Sequence, residues 1–113
     1  MERVKELKSL NDWKDALLHS SQKPLVLFKH STRCPVSAEA YDAFLKHVAK
    51  EPNPEADYRM VLVVEERPVS NAVAEDLGVK HESPQLLFIK NGETTWHTSH
   101  WRITEDSLRE NLK

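Results

Sequence analysis

Two short apolar runs joined by one long amphipathic segment constrain the fold of this chain most strongly. The runs at residues 25–28 and 58–64 lack the alternation of a strand that has one face in water, so both are typical of strands covered on both faces. Between them, Tyr41, Phe44 and Val48 recur at helical spacing. A helix that connects two such strands implies a parallel crossover, and therefore a sheet with helices packed against it.

The other segments extend this pattern to the order β-α-β-α-β-α-β-β-α. Strands are predicted at residues 4–7, 25–28, 58–64, 85–90 and 93–98, and helices at residues 9–20, 35–50, 68–77 and 104–112. Asn91-Gly92 is a strong hairpin signal, and Trp13 falls at a core position of the first helix. The sequence thus predicts a single α/β domain over residues 1–113, with a mixed sheet of four or five strands and helices on both faces.

Charge and hydropathy exclude two classes of partner. Sixteen basic and eighteen acidic residues give a net charge of −2, with interspersed signs and no basic stripe for nucleic acid. Every apolar run is far shorter than the roughly 20 residues that span a bilayer, so no membrane partner is expected.

Charged residues interrupt the first eight positions, where a secretory signal needs an apolar core. One cysteine cannot form an internal disulfide, so the cytoplasm is the expected compartment.

The single cysteine, Cys34, precedes Pro35, the predicted first residue of a helix. A helix N-terminus carries unpaired N–H groups and partial positive charge, which favour a thiolate. Arg33 adds a nearby cation, and Ser37, one turn on, is placed to donate a hydrogen bond to the sulfur. His30 is a further candidate at the strand end. Each of these residue types is also common in purely structural roles, so the prediction depends on their occurrence together.

Two segments carry a resemblance to known proteins. Residues 78–93 resemble the part of thioredoxin that contains its cis-proline, with Pro84 at that position. Residues 29–37 (Lys-His-Ser-Thr-Arg-Cys-Pro-Val-Ser) resemble the KHS-x-x-C-P-[IV]-S signature of the monothiol bacilliredoxins, which are thioredoxin-like proteins. The resemblance extends over nearly the whole chain.

Membership of that family would imply a thioredoxin fold and a cytoplasmic redox protein that acts on mixed disulfides between protein cysteines and the small thiol bacillithiol. Cys34 would be the nucleophile, and Pro84 would be the cis-proline on the substrate side. Thr32 and Ser83 are further candidates for contact with the substrate. The implied partners are thiolated client proteins and a small thiol as co-substrate. No bound cofactor or metal is expected, and the oligomeric state is left open between a monomer and a weak dimer. Ser37 stands where thioredoxin has its second cysteine, so a capped Cys34 would need an external thiol.

Other functions stay open. The missing second cysteine also fits a non-catalytic thioredoxin-fold module that binds partners, for example under stress. Monothiol glutaredoxins keep one cysteine in a C-G-F-S motif and hold iron–sulfur clusters, although Pro35 and Val36 break that motif here. A metal site at His97 and His100 is disfavoured, because residues three apart on a strand do not share a face. The sequence does not distinguish bacillithiol from glutathione.

Overall fold

The computed structural model describes residues 4–113, which build one five-stranded mixed sheet between two layers of helices. The strands are β1 (Val4–Glu6), β2 (Leu25–His30), β3 (Asp57–Leu62), β4 (Gln85–Lys90) and β5 (Glu93–Ser99). The helices are α1 (Leu10–His19), α2 (Pro35–Lys50), α3 (Arg67–Leu77) and α4 (Glu105–Asn111), with a single 3-10 turn at His100–Arg102. This order confirms the predicted fold class.

The central strand β2 sets the geometry of the sheet. The spatial order is β1-β3-β2-β4-β5, in which β1, β3 and β2 run parallel while β4 and β5 run antiparallel to their neighbours. All six residues of β2 are buried, as its uninterrupted apolar start predicts. Lys29, near the end of β2, pairs with Gln85, the first residue of β4. The loop after β2 and the segment before β4 therefore lie side by side at the edge of the sheet that is formed by the strand ends.

The two faces of the sheet have separate hydrophobic cores of different character. On the α2 and α4 side the core is rich in aromatic rings, among them Phe28, Phe44 and Tyr58. On the α1 and α3 side it is mainly aliphatic and includes Leu25 and Leu27. Successive β2 residues alternate between these cores, because successive side chains on a strand point to opposite faces.

The structure corrects several sequence predictions at the level of single residues. Trp13 is buried as predicted, and its Nε1 donates a hydrogen bond to Asp76 at 2.8 Å. The helical spacing of the first helix also allows a core position for Leu18, but Leu18 is 74% exposed, and Ala16 takes the second buried position on α1. The strand β3 ends at Leu62 rather than residue 64, because the Leu62 carbonyl accepts the N–H of residue 66 and closes a turn.

The end of β2 differs most from the prediction. The strand continues two residues past the apolar run, so Lys29 and His30 lie in the sheet and are buried. The sequence predicts a strand that stops at residue 28, with His30 near its end and the polar residues after it in a loop, because polar side chains are rarely placed inside a central strand. The polar segment between β2 and α2 is consequently shorter than predicted, at residues 31–34.

Local signals place the ends of the later helices correctly. Gly78 follows α3 with a φ of 66°, in the left-handed region that glycine tolerates. Thr104 caps α4 and exchanges hydrogen bonds with Ser107. Ile103 and Leu108, on either side of that cap, are buried in the same core. Among the described residues, no helix combines the length and apolar character needed to cross a membrane.

Candidate active site

Cys34 lies at the start of α2, where the sequence predicts it. It is the residue immediately before the first turn of the helix, with Pro35 as the first helical residue, and it is partly exposed. Its backbone N–H donates to the Ser31 carbonyl at 3.3 Å, and its own carbonyl accepts from Ala38 at 3.1 Å. The backbone is thus fixed on both sides of the cysteine, while its side chain makes no capping hydrogen bond.

The first turn of α2 leaves donors available near the sulfur. Within the described part of the chain, the backbone N–H groups of Val36 and Ser37 have no hydrogen-bond acceptor. Such groups carry the partial positive charge of a helix N-terminus, which favours an anion. The local backbone is therefore suited to a thiolate at Cys34.

Ser37 has different partners from those that the sequence predicts. Its side chain is completely buried, and its Oγ accepts the Ser31 N–H at 2.9 Å and lies 2.8 Å from His30 Nδ1. Burial lowers the pKa of His30, and the tautomer of its ring decides whether Nδ1 donates to Ser37 Oγ or accepts from it. Among the described residues Ser37 makes no hydrogen bond to the Cys34 sulfur, and its hydroxyl instead holds the loop that carries the cysteine, residues 31–34.

His30, the last residue of β2, connects that strand to α2. Its ring stacks on Tyr41 of α2 with 4.5 Å between centroids and 19° between planes. Burial is the main cause of its lowered pKa, with Glu65 acting weakly in the opposite direction. Together with its bond to Ser37, this stacking ties the end of β2 to α2. The loop that carries Cys34 spans these two elements.

Thr32 and Arg33 lie on the rim of the site and are exposed. Thr32 Oγ1 donates to Glu65 Oε2 at 3.3 Å, which connects the cysteine loop to the segment after β3. Arg33 forms neither a hydrogen bond nor an ion pair with any other residue in the described range. Its guanidinium is therefore available to an incoming group, and the predicted roles of both residues stay predictions.

The segment before β4, residues 78–84, forms a second wall of the site beside the cysteine loop. Pro84 is buried, and the Ser83–Pro84 peptide bond is cis. The Pro84 carbonyl accepts the His100 N–H at 3.0 Å. Ser83 Oγ is buried and has no partner among residues 4–113. The pairing of β2 with β4 brings this segment to the edge of the sheet that also carries Cys34.

An exposed tryptophan beside this edge was not predicted. Trp101 is 70% exposed and lies in the 3-10 turn that follows His100, a residue with a φ of 53°. With Val36 and Glu39 it lines a recess of about 240 Å³ next to the first turns of α2. Trp101 falls outside every periodic segment of the sequence, so no pattern pointed to it. A second unpredicted group, Lys29 with His81, lies on the other face of the sheet.

Metal-binding geometry is not seen in the described range. Among residues 4–113, no group of three or more histidine, cysteine, aspartate or glutamate side chains is arranged to hold a metal ion.

Comparisons with known proteins agree with this geometry. The sequence model of a family described as monothiol bacilliredoxin BrxC matches residues 5–108. The chain is also similar to a solved structure described as a candidate oxidoreductase with a thioredoxin fold, with 33% identity, a TM-score of 0.83, and coverage of 96% of this chain and 92% of that one.

Two thioredoxins share the fold at lower identity. One, from Malassezia sympodialis, is 17% identical with a TM-score of 0.78, over 96% of this chain and 87% of that one. The other, from Nicotiana alata, is 23% identical with a TM-score of 0.76, over 97% and 90% respectively. These two likenesses show the fold alone.

Proposed function

The chain belongs to the monothiol bacilliredoxin BrxC family, and we propose that it removes bacillithiol, or a similar small thiol, from mixed disulfides with client proteins. The observation that carries this proposal is the position of Cys34. The only cysteine of the chain is partly exposed at the N-terminus of α2, beside unpaired N–H groups and at the same sheet edge as Pro84.

The first step is a thiol–disulfide exchange. The Cys34 thiolate attacks the bacillithiol sulfur of the mixed disulfide, and the bond between that sulfur and the client cysteine breaks. The client leaves as a thiolate and takes a proton from water, while Cys34 is left in a disulfide with bacillithiol. One disulfide is exchanged for another, so no external oxidant or reductant is consumed in this step.

The second step needs a thiol from outside the chain, because the sequence contains no other cysteine. The thiolate of a free bacillithiol, or of a partner reductase, attacks the bacillithiol sulfur on Cys34 and releases the Cys34 thiolate. The released product is a disulfide that contains both small-thiol sulfurs or links the small thiol to the reductase. Such a cycle requires a compartment rich in reduced thiols, which the cytoplasm provides.

Local residues have separate roles in this proposal. The N–H groups of Val36 and Ser37 stabilise the thiolate, and Arg33 supplies a cation at the rim. Thr32 contacts the substrate on the cysteine side. Ser83 and Pro84 offer an extended backbone against which a client segment lies, in the manner of an added strand. Trp101 enlarges the apolar surface beside it.

The proposal is tested by the release of bacillithiol from a thiolated client protein. Wild type should release it in the presence of free bacillithiol, and Cys34→Ser should reduce release to the rate without protein. A matched control moves the only thiol elsewhere, as Cys34→Ser combined with Ser21→Cys at an exposed position of the chain. That control should also stay at background, because Ser21 is not at the start of a helix.

Equal rates in wild type and Cys34→Ser would remove the proposal. A wild-type protein that binds the client without forming any Cys34 adduct would instead support a non-catalytic binding module. Iron–sulfur absorption in the purified protein, again without an adduct, would support a cluster carrier. The mass added at Cys34 in protein isolated without reductant identifies the thiol, and an adduct of glutathione mass would replace bacillithiol in the scheme.

A further inference from the structure

A buried lysine lies beside the active-site edge and has no part in the exchange chemistry. Lys29 is 0% exposed, and its position on β2 faces the aliphatic core with Leu25 and Leu27. No carboxylate of the described residues pairs with it. Its Nζ lies 3.1 Å from Nδ1 of His81, which is in the irregular segment at residues 78–84 between α3 and β4.

Two more buried side chains hold the same segment. Ser70 of α3 has its Oγ 3.5 Å from His81 Nδ1. Gln85 of β4 donates from Nε2 to the Lys80 carbonyl at 3.0 Å. Three surrounding elements, β2, α3 and β4, therefore each direct a buried polar side chain at residues 80 and 81.

A lysine at this buried position lowers the stability of the folded protein. Burial lowers the pKa of Lys29 from 10.5 to about 8, because the ammonium loses its hydration and gains no anionic partner. A methionine of similar length would pack against the same aliphatic core without that cost. Stability alone does not explain a lysine here.

We propose that Lys29 is a positioning residue, which fixes the segment carrying Ser83 and Pro84 by its hydrogen bond to His81. His81 precedes Ser83 by two residues, so a contact at His81 restrains the start of the client-facing wall. On the far side, the His100 N–H holds the Pro84 carbonyl. Lys29 thereby places the client disulfide relative to Cys34. This inference rests on the proposed exchange function.

Lys29→Met separates positioning from stability. We expect the melting temperature to stay at or above that of wild type, while kcat/KM for release of bacillithiol from a thiolated client falls by about 10- to 100-fold, the order of loss that misplacement of a substrate causes. Alkylation of Cys34 by iodoacetamide should keep its wild-type rate, because the small reagent needs no client wall. Amide hydrogen exchange at residues 79–83 should become faster.

His81→Ala removes the other partner and should give the same loss of kcat/KM. The double variant Lys29→Met/His81→Ala should lose no more than either single variant, as expected for two residues that act through one contact. Lys80→Met is the matched control, since Lys80 lies exposed in the same segment and contributes its carbonyl rather than its side chain. It should behave as wild type.

Unchanged kcat/KM and unchanged amide exchange in Lys29→Met would overturn the inference. A loss of activity matched by a lower melting temperature and slower alkylation would also overturn it, since that pattern indicates a general structural role. If wild type itself releases no bacillithiol, the proposed function fails, and amide exchange at residues 79–83 still decides whether Lys29 fixes the segment.

Discussion

Lys29 and His30 are consecutive buried residues at the end of β2, yet they face opposite sides of the sheet and are paired very differently. On the α2 side, His30 and Ser37 form a continuous chain of hydrogen bonds that begins at the Ser31 N–H. On the α3 side, Lys29 has spare N–H groups and a single polar contact, to His81, within the described chain. Burial lowers the pKa of both Lys29 and His30.

The two residues hold two different parts of the site: His30 holds the cysteine loop, and Lys29 holds the segment before β4. The His30 side satisfies its polar groups, so the cysteine loop gains stability and position from the same contacts. The Lys29 side positions the client-facing segment with a group that is costly to bury. Removal of a partner should therefore destabilise the first side, whereas removal of the lysine should leave stability intact and change function.

The largest effect on stability is expected from Ser37→Ala. The change leaves the Ser31 N–H and His30 Nδ1 without their shared partner in a buried place, which should lower the free energy of unfolding by about 1–3 kcal/mol. Chemical denaturation measures the loss. Ser21→Ala, at an exposed serine, is the control and should stay within about 0.5 kcal/mol of wild type. Equal losses in the two variants would contradict the contrast drawn between the sides.

Lys29→Met should have an intermediate effect on stability, and the size of that effect depends on pH. The folded state lowers the pKa of Lys29 from 10.5 to about 8, so it resists protonation more than the unfolded chain does. Wild type consequently loses stability as the pH falls from 10.5 to 8, and the full loss persists below 8. The variant lacks this penalty and should be a few degrees more stable than wild type at pH 7.

That advantage should narrow as the pH is raised toward 10.5. Melting temperatures of the two proteins at pH 7 and pH 10 test this, with Lys80→Met as the control for removal of a lysine charge from the same region. The charged groups around His81 are Lys29, Arg67 and Glu82, and burial brings the pKa of Lys29 into this interval. A constant or widening gap would contradict the buried-lysine account.

The same two residues mark the limit of prediction from sequence. The element order, the hairpin and the position of Cys34 were predictable, because apolar runs, Asn91-Gly92 and Pro35 are local signals. The burial of Lys29 and His30 was not, since two polar residues after an apolar run are typical of a loop. The partner of Lys29 lies 52 residues away at His81, and no periodicity connects the two.

Ser37 illustrates a different limit. Its spacing from Cys34 correctly predicts a place on the first turn of α2, and the sulfur is the obvious partner one turn away. The hydroxyl instead turns inward, because His30 enters the sheet and presents Nδ1 to it. Which way a side chain on a helix turn is directed depends on tertiary neighbours, and these were not visible in the spacing.

The smallest expected effect is a change in the acid sensitivity of the melting temperature when His81 is replaced. Burial lowers the pKa of His81, and the charges of Lys29 and Arg67 add to this while Glu82 opposes it. A histidine with a lowered pKa contributes stability above its unfolded value of about 6.5 and loses it as the pH falls below that value. His81→Gln keeps an acceptor for Lys29 but does not titrate, so its melting temperature should fall slightly less than that of wild type between pH 7.5 and pH 5.5.

The activity of His81→Gln also tests whether the contact between Lys29 and residue 81 positions the segment before β4. Because a glutamine oxygen can still accept from Lys29, His81→Gln should retain most of the kcat/KM that His81→Ala loses at pH 7.5. His19→Gln, at an exposed histidine of α1, controls for removal of a histidine and should match wild type. If His81→Gln loses as much kcat/KM as His81→Ala, the segment before β4 depends on the imidazole ring and not on the atom that accepts from Lys29.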